Sequence, residues 1–258
     1  MVETRTQPSQ EFEKVLVKSA TEVASFDRHK KTPLERLQHV LHSNPALVPL
    51  IVLLMSVIVF GAILGTRFFS PFSLTLILQQ VAIVGIVGAA QTLVILTAGI
   101  DLSVGAIMVL SSVVMGQFTF RYGIPAPISV LCGFAVGALV GYINGFLVAR
   151  VKLPPFIVTL GMWQIVLATN FLYSKNETIR AQDIEANAPL LQFFGQQVRL
   201  GGAVLTYGVI VMVLLVLVLA YVLKHTAWGR HVYAIGDDPA AAELAGIQAK
   251  KTLISVYV

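Results

Sequence analysis

The stretch "ALVPLIVLLMSVIVFGAILG", residues 46–65, runs for twenty residues without a charge. About 20 helical residues, each rising about 1.5 Å, cross the roughly 30 Å hydrocarbon core of a bilayer. The stretch therefore reads as a membrane span, and the sequence around it reads the same way. Between Pro45 and Ala149 the only charged residues are Arg67, Asp101 and Arg121. The whole chain is 56% hydrophobic and 12% charged, with a mean hydropathy of +0.81, whereas soluble domains carry about 25% charged residues. A large soluble core can be this apolar, but it breaks its runs into shorter pieces with polar loops. Further apolar segments at 73–97, 100–119, 128–149, 157–173 and 203–223 complete six expected spans, and a seventh is expected to begin at Thr252. The fold class is an all-α, polytopic helical membrane protein.

The charges orient the spans, because cytoplasmic loops collect Lys and Arg. Arg28, Lys30, Lys31 and Arg36 precede span one, Arg150 and Lys152 follow span four, and Lys224 and Arg230 follow span six. With six spans these clusters share one side, so the N-terminus and the loop 224–250 are expected in the cytoplasm. Arg67, Arg121 and the mixed-charge loop 174–202 then lie on the extracytoplasmic side. The net charge of +5 belongs to these loops and is no argument for nucleic acid. A polar segment of about 45 residues precedes the first apolar run, whereas a secretory leader has its apolar core much earlier. Span one is thus expected to be a retained helix. Residues 1–31 read as a mobile cytoplasmic tail. At 32–44, Thr32, Pro33 and Glu35 form a capping-box start. Leu34, Leu37, Val40 and Leu41 share one face, so this is either a membrane-surface helix or an ordinary linker helix. Residues 45–258 form the membrane domain. Cys132 is the only cysteine, which excludes an intramolecular disulfide.

Three motifs stand out within the spans and loops. In "GFAVGALVGYING", Gly133, Gly137, Gly141 and Gly145 recur every fourth residue and form a flat ridge on span four. Small residues at this spacing let another helix approach closely. Asn144 beside the ridge needs a polar partner, either on another helix or on a polar solute.

"TAGIDLSVGA", residues 97–106, holds Asp101, the single acidic residue between Glu35 and Glu177. Two geometries are open. In a tight cytoplasmic hairpin, Asp101 or Ser103 caps span three and meets its dipole. In a broken helix at membrane depth, the segment lines a cavity or is buried in protein. Capping accounts for Asp101 at little cost, although intramembrane acids are functional candidates by default.

"GRHVYAIGDDPAAAELAGI", residues 229–247, contains the helix-start signal Asp237-Asp238-Pro239, an alanine-rich run to Leu244, and Gly246 as a C-terminal stop. A helix of about two turns is expected there, as a passive connector if nothing docks on it. Pro154 and Pro155 mark the start of span five.

Together "GIDLSVGA", "NGFLVARVKLPPFIVTLGM" and "YAIGDDPAAAELAGI" resemble the permease subunits of bacterial ABC importers for monosaccharides, of the ribose, xylose and arabinose type. The resemblance runs from about Ser73 to Ile247. It implies a permease dimer with about ten spans per subunit, two cytoplasmic ATP-binding subunits beneath, and an extracytoplasmic sugar-binding protein, all in the inner membrane. It implies that Gly236, Asp237, Asp238, Pro239, Ala240, Glu243 and Gly246 form the coupling-helix region that meets the ATPase. It also raises the cavity-lining option for Asp101, Ser103 and Asn144, as acceptors and donors for sugar hydroxyls. Asp237-Asp238 and Glu243 depart from the family, where Gly-Asn and a basic residue are common. The sequence given stops at Val258, so the chain is expected to be truncated relative to the family. An alternative from another class is a permease-like protein that assembles or regulates without transporting.

Other classes find less support. A secondary transporter needs intramembrane charges for ion coupling, and one aspartate is thin for that. No phosphate loop with its lysine, no HExxH and no GxSxG turn is present, so the chain is not expected to be an enzyme. His225 and His231 are too isolated to suggest a metal site, and no cofactor is expected.

Overall fold

A computed structural model of the chain describes residues 41–44, 46–200 and 203–258. The tail and the Thr32 helix start expected within residues 1–40 lie outside the described residues; residues 41–43 are helical. The chain divides into two units at Gly65. The first contains α1, Leu47–Leu64, none of whose residues is buried. Its uniformly apolar surface is what a span needs where lipid, not water, is the solvent.

The second unit holds the remaining elements. Helices α2 (Pro71–Leu96), α3 (Val104–Phe120), α4 (Ala126–Ala149) and α5 (Pro155–Ser174) follow in order. Then come the short α6 (Ala181–Asn187), a 3-10 segment at Pro189–Gly195, strands β1 (Gln197–Leu200) and β2 (Ala203–Thr206), and α7 (Tyr207–His225). Three more helices close the chain: α8 (Ala227–Asp237), α9 (Pro239–Leu244) and α10 (Ala249–Tyr257). Among the described residues five helices, counting α1 with the turn that follows it, are long and apolar enough to cross a membrane; α3 is apolar but has 17 residues.

The expected spans locate these helices, with corrections at the ends. Span three begins at Val104 and not at Ile100, because residues 97–103 form a linker. Span six loses residues 203–206 to β2 and runs from Tyr207. The segment expected at Thr252 starts at Ala249. The loop 174–202 carries α6 and β1, which the charge pattern did not foreshadow.

Local chemistry sets the helix starts. Ser70 caps α2 by accepting from the Ser73 N–H at 3.2 Å, with Pro71 in the first helical position. Pro155 opens α5, where its missing N–H leaves no bond unmade. The β1–β2 pair is antiparallel, with Leu200 opposite Ala203. It is tied to α2 by side chains: Gln79 Nε2 donates to the Val204 carbonyl at 2.9 Å, and the Val204 N–H donates to Thr75 Oγ1 at 3.3 Å.

Three apolar clusters hold the second unit together. Ala106, Leu110, Val114, Val140, Met162 and Val166 join α3, α4 and α5. Val94, Val232, Val256 and Tyr257 join α2, α8 and α10. Ile235, Ala242 and Ala249 join α8, α9 and α10.

The glycine row of α4 serves two neighbours. Methyl groups built on Gly133 and Gly137 would press on α3, at the Ser111 carbonyl oxygen (3.1 Å) and Ser111 Oγ (3.4 Å). On Gly141 a methyl would overlap the Tyr257 carbonyl oxygen, and on Gly145 it would lie 2.9 Å from Ile254 Cα, both in α10. One ridge thus seats α3 along its first half and α10 along its second.

Candidate functional site

The linker 97–103 begins where α2 stops. The Gly99 N–H donates to the Val94 carbonyl at 2.9 Å and the Ala98 N–H to the Ile95 carbonyl at 2.9 Å. This pair of bonds is a Schellman motif, which satisfies carbonyls that a helix end leaves unpaired. Its left-handed position is normally glycine but here is Ala98, at φ 56°. A non-glycine residue there costs about 1–2 kcal/mol, so surrounding contacts must hold the linker in place.

Those contacts are polar and buried. Thr159 Oγ1 on α5 donates to the Ile100 carbonyl at 3.1 Å. Asp101 Oδ1 accepts from the Ser103 N–H at 2.7 Å and from Ser103 Oγ at 2.6 Å. Asn144 Nδ2 on α4 donates to Ser103 Oγ at 2.9 Å. Ser103, Asn144 and Thr159 are fully buried, whereas Asp101 is half-buried. A donor chain therefore runs from Asn144 through Ser103 to the carboxylate, and it ties the linker to α4.

The structure thus gathers Asp101, Ser103 and Asn144 into one cluster. Ser103 occupies the N-cap position of α3 but makes no side-chain cap bond. The carboxylate of Asp101 instead takes up the Ser103 N–H. The second oxygen of Asp101 accepts no hydrogen bond from any described residue. Asn144 Oδ1 and Tyr257 Oη are buried with no hydrogen-bond partner among the described residues. Tyr257 belongs to this neighbourhood, since a methyl on Gly99 would lie 2.8 Å from its Oη. Sequence reasoning missed Tyr257 and Thr159, because nothing in their local sequence points across the bundle.

Clefts lie elsewhere among the described residues. One, about 760 Å³, lies between α3, α4 and the segment 177–194, where Gln117 Nε2 donates to Glu177 Oε2 at 3.4 Å in mainly apolar walls. Another, about 420 Å³, is lined by Arg150, Glu243, Lys250 and Lys251 among others. The third, about 340 Å³, lies between α2 and the β1–β2 pair. Asp101, Ser103 and Asn144 line none of these three. Among the described residues, no group of three or more His, Cys, Asp and Glu side chains is gathered as a metal site.

The second candidate region is the helical hairpin α8–α9. Thr226 starts α8 by accepting from the Gly229 N–H at 3.2 Å. Gly236 and Asp237 fall in α8, and only from Pro239 does the short helix begin. Asp238 caps α9 with one carboxylate oxygen, accepting from the Ala240 and Ala241 N–H groups at 2.8 and 3.0 Å. At the other end Gly246, at φ 85°, supplies the left-handed stop. The Gly246 N–H donates to the Glu243 carbonyl and the Ile247 N–H to the Ala242 carbonyl, each at 3.0 Å. Ala242 faces inward at 4% exposed, while Leu244 stands 91% exposed at the tip. A leucine offered so fully by a helix capped at both ends is a preformed apolar knob.

A six-residue helix has no stability of its own and depends on caps and packing. Asp238→Ala removes the acceptor of two N–H groups and is expected to destabilise the hairpin by about 1 kcal/mol. Amide hydrogen exchange confined to residues 239–245 should rise accordingly, with no change in α4.

Apolar helices of membrane length define a multi-pass helical membrane protein. The chain belongs to the family described as the permease component of the branched-chain amino acid transport system, whose model matches residues 73–258. It is 76% identical over 254 residues to the fructose import permease protein FrcC of Rhizobium meliloti, covering 98% of this chain and 71% of that one. It is 34% identical over 217 residues to the ribose import permease protein RbsC of Escherichia coli K12, covering 84% and 65%. The fructose import permease protein FruG of Bifidobacterium longum is 31% identical over 217 residues, covering 83% and 63%. The chain thus spans about two thirds of the length of these relatives. No solved structure matches it. These relatives are all named as sugar import permeases, and the chain is a multi-pass inner-membrane protein of the same permease family.

Proposed function

We propose that this chain is the membrane-spanning part of an ATP-driven importer that carries a monosaccharide, with fructose the first sugar to test. The observation that carries the reading is 76% identity, over 98% of the chain, to a protein named as a fructose import permease. In this reading the N-terminus and the α8–α9 hairpin face the cytoplasm, a second permease copy completes the pore, and a binding protein delivers sugar from the opposite side. The chain itself hydrolyses nothing; a partner ATPase does.

The geometry supports a division of labour. Leu244, flanked by Glu243, is the surface that enters a cleft of the ATPase, and the caps at Asp238 and Gly246 hold it rigid. Movement there shifts the spans between two openings, as a population shift between pre-existing states. Sugars are neutral and rich in hydroxyls. The unoccupied oxygen of Asp101 is an acceptor suited to one of them, while Ser103 and Asn144 hold that carboxylate in place.

The test combines uptake and association. Cells lacking their own fructose permease, supplied with this chain, its companion ATPase and the binding protein, should accumulate labelled fructose, and the ATPase should co-purify with the chain in detergent. Leu244→Ser should reduce both at least tenfold without lowering the yield of permease. Failure of any ABC-type ATPase to co-purify with the unmodified chain would refute the reading. Co-purification without uptake of any sugar would instead favour a subunit that assembles but does not transport.

A further inference from the structure

We propose that Gly236 is a positioning residue through which the α8–α9 hairpin drives the Asp101 linker. The inference rests on the transport reading above and deepens it. It starts from a close approach. A methyl on Gly236 would overlap the Leu96 carbonyl oxygen and lie 3.5 Å from Thr97 Cα. The last turn of α8 therefore sits with its backbone directly against the last residue of α2 and the first of the linker, and only glycine allows that distance.

The hairpin is built to move as one body. Val232 and Ile235 of α8 are 0% and 1% exposed. Ile235 packs with Ala242 of α9 and Ala249 of α10, so the three helices share one small core. That body touches the linker at a second point. Tyr257 of α10 places its Oη over Gly99, and the backbone of α10 rests on Gly141 and Gly145 of α4. Both ends of the Schellman turn at 97–99 are thus gripped by the body that carries Leu244. From there Asp101, Ser103 and Asn144 connect the linker to α3 and α4 by the bonds already described. Ala98 is held in its left-handed conformation by these contacts, so a shift of the grip on either end of the turn releases the strain stored there.

The assembled importer provides the test. In Gly236→Ala the sugar taken up per ATP hydrolysed by the same complex should fall at least tenfold. The control is Gly161→Ala, a helical glycine with nothing within 4 Å of an added methyl, which should keep full uptake. Loss of ATPase association in Gly236→Ala would make Gly236 part of the docking surface and overturn the inference while leaving the transport reading intact. An unchanged ratio would overturn it as well. Because an added methyl can also impair folding, a second measurement keeps every glycine. In a Cys132→Ala background, thiol labelling of Ile100→Cys, on the exposed side of the linker, should change at least threefold between the nucleotide-free complex and the complex trapped with ATP and vanadate. Equal rates would overturn the inference. Failure of the unmodified chain to bind an ATPase is a separate result, and it tells against the transport reading itself.

Discussion

Gly141→Leu is expected to yield no monodisperse protein in detergent. At this position any β-carbon overlaps the Tyr257 carbonyl oxygen, and a carbonyl cannot rotate away as a side chain can. Overpacking a well-fitted interior costs about 1–3 kcal/mol and sometimes more. Here α10 must leave α4 altogether, because the same two helices are also in close contact at Gly145 and Ile254. Losing that contact also opens the Val94, Val232, Val256 and Tyr257 cluster. Gly161→Leu is the matched comparison, since nothing lies within 4 Å of an added methyl there. Size-exclusion profiles of the two variants in the same detergent decide the matter. Equal recovery would mean that the α4–α10 seat contributes little.

Asp101→Ala is expected to lower stability by about 3 kcal/mol, because two donors on fully buried Ser103 lose their acceptor and each orphaned group costs about 1–3 kcal/mol. Asp101→Asn keeps an acceptor oxygen for both donors. Charge-assisted hydrogen bonds are about twice as strong as neutral ones, so about 1 kcal/mol of loss is expected. The pair of variants separates the two roles of this residue. In Asp101→Asn the free carboxylate oxygen becomes an NH₂ group, a donor where the sugar path needs an acceptor. Uptake should therefore fall at least tenfold in a protein that melts close to the unmodified one. Thermal unfolding in detergent and fructose uptake measure the two effects independently. Full uptake by Asp101→Asn would leave the carboxylate as a fastener of the linker and nothing more.

The spans were legible because long uncharged runs between isolated charges have few other readings. Their ends were less so. The start at Ile100 failed because Ile100 is as apolar as the helix it precedes, and the chain is held out of helix there by the Schellman turn, the Thr159–Ile100 bond and the Asp101–Ser103 bonds. The β1–β2 pair had a clear signal, two short β-prone runs separated by Gly201-Gly202. The mixed charge of 174–202 masks that signal, and the apolar second strand is continuous in sequence with span six. Helix α8 also left a trace: Thr226 as a cap, then Trp228, Val232 and Ile235 spaced along one face. The glycine row announced a close approach, but a small residue does not name what approaches it, and two different helices do. Asp101, Ser103 and Asn144 stand out in the sequence as polar residues among apolar neighbours. That they bond to one another depends on how α3 and α4 cross, which no local pattern contains.

The anchoring of the β1–β2 pair on α2 has a consequence for how the protein sits in its bilayer. With 26 residues, α2 is about 39 Å long, about 9 Å more than the hydrocarbon layer. A lone helix with this mismatch would tilt or thicken the lipid around it. Here Thr75 and Gln79, in its first turns, are occupied by the backbone of β2. The surplus length is thereby covered by protein. Beyond Gln79 the helix keeps the stretch to Leu96, about 26 Å, so the bonds to β2 turn a surplus into a deficit of a few ångströms, which a bilayer absorbs at fractions of a kcal/mol per ångström.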